Sequence, residues 1–369
     1  MTFDETHDKS PATAEFEHRG PRADRTPPAV VWRADGDVPH AGRARTPGAE
    51  LLRIAEDAHT LAFCADGALI TVGASGTRLW DVRDGRELVH LSDARGIVAI
   101  SPDGRYMANV PGSFEIALRS LRDIEEQRTI LHRSRWWKRG FGDVSAIAFS
   151  ADSRRLATAG DPDTRVWSVA DAAELLRIKT GPTEFHGLSI AFSPDGRYLA
   201  TTVTDRLVHI WNSFDGHKVQ RLDHKPHAYG RVATALAFSP DSRRLATLCA
   251  DDSLWVWDLA TGSLALCVLP DDHTPRCFEA RMVAWHPGST LLAAPCADGS
   301  VRVWDVERCL ELLCVEHCTP PPRSRRTRWS GEDSLLGVSG IPTAVAISRD
   351  GTLLASGGAG GTLRVWALA

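Results

Sequence analysis

From residue 49 onward, short apolar runs alternate with tight polar turns, and the alternation repeats itself along the chain. One turn marks each repeat: FCADG at 63, ISPDG at 100, FSADS at 149, FSPDG at 192, FSPDS at 238, WHPGS at 285 and ISRDG at 347. An apolar run precedes every marker, as in AIAF before Ser150, and another follows it, as in RLAT at 155–158. Asp followed by Gly between two such runs predicts a tight hairpin, because Gly accepts positive φ and Asp bonds its own backbone. A third run ends in tryptophan, at Trp80, Trp167, Trp211, Trp257, Trp304 and Trp366, and a fourth closes each unit. Little strict polar alternation appears within the runs, as expected where sheets stack and bury both faces.

Seven markers predict seven four-stranded units. Residues 49–369 divided among them give about 46 residues per unit, close to the ~40–45 of propeller blades. The expected fold is therefore all-β, a seven-bladed β-propeller of four-stranded antiparallel blades. Trp211, Trp257, Trp304 and Trp366 keep one distance from their markers, and at that distance the second unit has Arg119. The second blade is thus expected to form but to pack less tightly.

The hexapeptide AELLRI stands at 49–54 and again at 173–178, with LELLCV at 310–315 as a near copy. Both later copies follow a Trp-ended strand, and no such run follows Trp366. The strand at about 49–54 should therefore complete the last blade and close the ring, with Leu51 and Leu52 facing opposite neighbours. Residues 1–48 carry six prolines and mixed charges, with one apolar cluster at Val30, Val31 and Trp32. Such a segment cannot bury enough surface to offset its ordering entropy, so it is expected to be a disordered tail, its apolar cluster docking on the ring or a partner.

The turns, the tryptophans and their common spacing together resemble WD-repeat β-propellers, and FSPDGRYLA at 192–200 resembles the bacterial stand-alone type. The resemblance covers residues 49–369. The dipeptide itself stands at Trp80-Asp81, Trp257-Asp258 and Trp304-Asp305, and is altered to Trp-Ser, Trp-Asn and Trp-Ala after Trp167, Trp211 and Trp366. In that family a His, a Ser or Thr, an Asp and the Trp form a hydrogen-bonded tetrad. Asp205, Asp251 and Asp298 lie six residues before their Trp, as that pattern asks, but the Gly-His dipeptide that opens each unit is missing. Incomplete tetrads are the expectation, with packing holding the blades.

Two loops between the fourth strand of one blade and the first of the next stand out. HRSRWWKRGFGD places Arg133, Arg135, Trp136, Trp137, Lys138 and Arg139 between the second and third units. TPPPRSRRTRWSGED places Arg323, Arg325, Arg326, Arg328 and Trp329 between the sixth and seventh. At about 51° per blade the two arms lie three blades apart on one face, nearly opposite across the channel. Arginine with exposed aromatics grips carboxylates, phosphates or stacked bases, and the same residues dominate protein interfaces. Solvated arginines around two tucked tryptophans are the plainer alternative. His224 and His227 lie in another loop of that face and are expected to extend the site.

Charge and composition narrow the choice. A net charge of −4 favours an acidic protein segment as the partner over nucleic acid, which stays an alternative through the same arms. WD-repeat rings mostly assemble other proteins, so the resemblance implies a non-catalytic scaffold. No GxSxG or HExxH motif is present, and a propeller enzyme is the third reading. No catalytic residue, cofactor, metal site or small-molecule substrate is expected: Cys309, Cys314 and Cys318 lack zinc spacing, with Cys309 and Cys314 on one strand. Asp161, Pro162 and Asp163, and the pair Asp251-Asp252, read as ordinary turns, and GGAGG at 357–361 reads as a flexible turn. No apolar run is long enough to cross a membrane, and the acidic N-terminus lacks an apolar core, so a cytoplasmic location is expected.

Overall fold

The computed structural model describes residues 31–32 and 46–368, except 65, 93–95, 113, 122–126, 133–143, 161–162, 181–188, 203–206, 225–232, 250–252, 269–281, 297, 319–340 and 359–360. Its described secondary structure is entirely strands, arranged as seven sheets. Six are sequential four-stranded antiparallel blades, spanning 60–91, 98–131, 144–179, 190–223, 233–268 and 284–316. Strands within a blade are called a to d in chain order. The seventh blade takes a, b and c from Pro342–Ile347, Leu353–Gly358 and Thr362–Ala367, and d from Glu50–Ile54. The expected seven-bladed ring, closed by the N-terminal strand, is the observed one.

Register explains how closure works. Glu50 pairs with Trp366, Leu52 with Val365 and Ile54 with Leu363, leaving Leu51 as the extra residue of a bulge. A bulge breaks the alternation that would have sent Leu51 and Leu52 to opposite neighbours. Leu52 and Ile54 are buried, in one cluster with Val365 of blade 7 and Trp80 of blade 1, whereas Leu51 is only half-buried. The expectation that Leu51 and Leu52 face opposite neighbours is corrected: Leu51 falls in the bulge and Leu52 is the leucine buried in the closure. Outside this strand, Val31–Trp32 adds a fifth, antiparallel strand, with Val31 opposite Ile54 and Trp32 opposite Arg53.

The markers build the ring's a–b hairpin face. In FSPDG-type turns the Ser hydroxyl donates to the Asp carboxylate two residues on and accepts from the amide five residues on, as in Ser193 with Asp195 (2.6 Å) and Tyr198 (2.8 Å). The marker's last residue has positive φ, and in three blades it is Ser153, Ser242 or Ser289 rather than Gly. Left-handed backbone costs a non-glycine residue free energy. Each of these serines offsets that cost with a bond between blades, since its hydroxyl accepts the marker Asp amide of the preceding or a neighbouring blade (Asp103, Asp195 and Asp241 at 3.0–3.1 Å).

Each strand-c tryptophan faces the preceding blade. Trp211, for example, packs on Ala157, Ala159, Val166 and Ile178 of blade 3. A flat group two residues earlier stacks beside the ring: Arg78 by Trp80, Arg165 by Trp167, Arg364 by Trp366, and in other blades His209 by Trp211 and Trp255 by Trp257. The GGAGG stretch is not simply a turn. Gly357 and Gly358 belong to strand b of blade 7, and a Cβ on Gly358 would lie 2.0 Å from the Ile341 carbonyl oxygen.

Candidate functional site

The two basic arms spring from well-defined bases. Blade 2 ends at Leu131 and blade 3 resumes at Val144; blade 6 ends at Glu316 and blade 7 resumes at Pro342. Arg133, Arg135, Trp136, Trp137, Lys138 and Arg139 lie outside the described residues, as do Arg323, Arg325, Arg326, Arg328 and Trp329. What the structure does place is the residue at the root of each arm, His132 or His317, and both are fully buried.

His132 completes a tetrad. Its Nδ1 lies 2.7 Å from Thr158 Oγ1 and its Nε2 lies 3.0 Å from Asp163 Oδ1, while Trp167 Nε1 donates to Thr158 Oγ1 at 2.9 Å. One proton arrangement satisfies the chain of bonds: Nε2–H donates to Asp163, and the Thr158 hydroxyl donates to Nδ1 while accepting from Trp167. Burial pushes the His132 pKa down despite the carboxylate, so the ring is neutral. Burial alone would raise Asp163, but hydrogen bonds from His132 and Arg165 outweigh it and hold the carboxyl at about 2.

At the other arm, His317 Nδ1 meets Ser356 Oγ at 2.8 Å, and Trp366 Nε1 donates to the same hydroxyl at 2.9 Å. Thr362 Oγ1, 3.4 Å from His317 Nε2, stands where blade 3 has its carboxylate. Burial, with the Arg364 guanidinium as a second cause, lowers the His317 pKa to about 4. His224 plays the same part in blade 5, 2.8 Å from Thr247 Oγ1 and edge-on to Trp255 and Trp257.

These findings correct three expectations. Blade 3 holds one complete tetrad, and blades 5 and 7 show the histidine, hydroxyl and tryptophan without a described carboxylate. In all three the histidine is present without its glycine, at the first residue after a d strand. Asp163, four residues before its Trp, is the partner in blade 3 rather than a plain turn residue. Of the three aspartates chosen by spacing, Asp205 and Asp251 lie outside the described residues, and Asp298 bonds Ser300 and Arg302 rather than a histidine. His224, buried against Thr247, Trp255 and Trp257, is unavailable as part of a binding face, and His227 lies outside the described residues.

Chemistry elsewhere is sparse. No group of three His, Cys, Asp or Glu side chains among the described residues could hold a metal. Cys309 sits in the turn before the strand that carries Cys314, not on that strand, with φ of 55°. A 530 Å³ hollow lies among the a–b hairpins of blades 7, 1, 2 and 3, touching Phe63, Asp103, Ala151 and Arg349. A second, of 320 Å³, opens between blades 1 and 2.

Five stretches of the chain match the WD domain, G-beta repeat family: residues 138–168, 180–212, 214–258, 275–305 and 334–367, which are blades 3 to 7. The chain carries WD40 repeats. Among relatives, WD repeat-containing protein 82 of Drosophila melanogaster is 31% identical over 150 residues, 40% of this chain and 46% of that protein. Autophagy-related protein 18 of Meyerozyma guilliermondii is 44% identical over 70 residues, 18% of this chain and 12% of that protein. The same-named protein of Candida glabrata is 38% identical over 74 residues, 19% and 14% of the two chains. The matched part of this WD-repeat chain thus spans less than half the length of these relatives. They come from a fly and from yeasts, so they lend no support to the bacterial, stand-alone qualifier.

Proposed function

We propose that this WD-repeat ring is a non-catalytic interaction scaffold that binds a protein partner through the two basic, aromatic arms between blades 2 and 3 and between blades 6 and 7. The observation that carries the reading is the anchoring of both arms. His132 and His317 are fully buried and hydrogen-bonded into strand b of the following blade, so each arm leaves a rigid root. A rigid root lowers the ordering cost of binding. The WD-repeat matches of the chain and its likeness to WD repeat-containing protein 82 support the scaffold class. Arginine density in the arms against a net charge of −4 favours an acidic segment of the partner, which guanidinium groups would hold bidentately. Free thiols on the seven described cysteines fit a reducing, cytoplasmic location.

Affinity capture from native lysate tests this reading with two variants, one replacing the arginines, lysine and tryptophans of 133–139 by Ser, the other those of 323–329. Each variant is expected to keep the wild-type melting temperature and to lose the same captured proteins. Capture of an identical set by wild type and both variants would overturn the assignment of the face. Nucleic acid is the second reading, and salt separates the two: oligonucleotide binding that falls steeply between 50 and 200 mM salt, and disappears with the arms, would favour it.

A further inference from the structure

The same five residues, ELLRI, form strand d in two blades: Glu50–Ile54 of blade 7 and the start of Glu174–Lys179 of blade 3. The two strands sit alike on their neighbours. In each the Glu lies opposite the strand-c tryptophan (Trp366, Trp167), the second Leu opposite a valine and the Arg opposite an arginine, with a bulge at the first Leu. In each the Glu is clasped twice, by the Arg three residues on (2.6 Å in blade 7, 2.9 Å in blade 3) and by the strand-c Arg (3.0 and 3.4 Å). What differs is the outer edge.

In blade 7 that edge carries the fifth strand, Val31–Trp32, with Val31 opposite Ile54 and Trp32 opposite Arg53. In blade 3 the matching residues are Ile178 and Arg177, and strand d is the last strand of its sheet among the described residues. Exposure of the bulge leucine follows the edge: Leu51 is half-buried, whereas Leu175 is 53% exposed. A near copy in blade 6, ELLCV, has no fifth strand among the described residues, and its bulge leucine, Leu312, is 51% exposed. An edge strand with no neighbour presents unpaired N–H and C=O groups that an extended segment can take up. Charges on such an edge oppose addition, but the Glu and Arg clasp is common to both edges, and blade 7 accepts a strand despite it.

We propose that the outer edge of Glu174–Lys179 in blade 3 is a docking site for a second copy of this chain, which adds its own Val31–Trp32 strand there, Val31 opposite Ile178 and Trp32 opposite Arg177. That strand already pairs with the same residues in the same register on blade 7 of its own chain. Only two residues are paired there, so little holds the strand to its own ring against exchange. Residues 33–45 join it to Thr46 and reach about 40 Å at ~3.3 Å per residue, enough to meet a neighbouring ring. Blades 7 and 3 lie nearly opposite at about 51° per blade, so donor and acceptor are different surfaces and the contact can continue from copy to copy. It uses neither basic arm and stands or falls separately from the arm assignment.

A peptide of residues 26–37, labelled with fluorescein and carrying photoleucine in place of Val31, tests the site on the full chain, whose blade 7 edge is already covered. Saturable binding by fluorescence anisotropy is expected, with the photo-adduct mapped by mass spectrometry to 174–179. The same peptide N-methylated at Val31 and Trp32 should not bind, since successive amides point to opposite sides of a strand and one of these two must face the edge. Sedimentation velocity tests the second copy: wild type should grow beyond monomer as its concentration rises. Val31→Pro with Trp32→Pro, which removes both amide donors, should stay monomeric. Leu175→Lys, a charge at the acceptor edge, should associate about tenfold more weakly at an unchanged melting temperature. Failure of the peptide to saturate, an adduct confined to 50–54 or lying on another blade, or undiminished binding of the methylated peptide would overturn the site. A wild type that stays monomeric, or undiminished association of either variant, would overturn the second copy as its occupant.

Discussion

A chain starting at Ala55 is expected to lose most of its stability and to self-associate, while a chain starting at Thr46 melts within a few degrees of the full chain. The difference lies in Glu50–Ile54, the outer strand of blade 7. Leu52 and Ile54 are 3% and 0% exposed, and each buried aliphatic side chain contributes about 1.5–3 kcal/mol. Their removal also uncovers Trp80, which packs on them from blade 1, and Val365 behind them. Strand c of blade 7, Thr362–Ala367, would then present a bare hydrogen-bonding edge, the geometry that recruits other chains. The Arg364 bond to Glu50, 3.0 Å and largely shielded, goes with the strand. Starting at Thr46 spares all of this and keeps the Gly48 amide bond to the Ala367 carbonyl at 2.8 Å. Leu52→Asp alone should cost on the order of 3–5 kcal/mol by burying an unpaired carboxylate, and Leu51→Asp far less, because Leu51 sits in the bulge. Thermal unfolding by circular dichroism and size-exclusion chromatography measure both effects. Equal melting temperatures for the two truncations would sink the closure account.

Acid should weaken the ring in two separate windows. A histidine whose folded pKa is depressed resists protonation while the unfolded chain accepts the proton. Its contribution is therefore complete above about pH 6.5, the unfolded value, and is lost as pH falls toward the folded value. For His317 that lower limit is about 4, and the difference corresponds to roughly 3 kcal/mol. His132 shifts in the same direction and adds to the same window. Asp163 is depressed to about 2, so its contribution is present above about pH 4 and is lost below it. Urea midpoints measured from pH 8 to pH 3 should fall between pH 6.5 and 4, and fall further toward the acid end. His317→Asn should be less stable than wild type at pH 8 yet flatter through the first window. A variant with the wild-type slope there would show that His317 is not buried in its neutral form.

How far the sequence could be read depended on whether an interaction has a fixed distance along the chain. Hairpin markers and their tryptophans lie within one blade, so Trp211, Trp257, Trp304 and Trp366 recur at one spacing and announce the blades. Tetrad histidines bond across a blade boundary, 26, 23 and 39 residues before their Thr or Ser, because loops of different length intervene. A search for a Gly-His dipeptide passed over His132, His224 and His317 for that reason. The usable signal was a histidine just after each d strand. Arg119 in the tryptophan position was plain from the spacing, but that Asn109 of the same blade lies buried without a partner was not, since it depends on which blade faces which.

By itself the sequence determined seven four-stranded blades, closure of the ring by the AELLRI strand, and the place where one tryptophan is missing, because local turn chemistry and a strict period set all three. Tertiary structure alone decided that Leu52 rather than Leu51 closes the ring, that buried neutral histidines root the two arms, and that the Asn109 amide of blade 2 is buried without a partner. A bulge, a desolvated ring and a buried unpaired amide are relations between segments distant in the chain, and packing brings those segments together without leaving a period in the sequence.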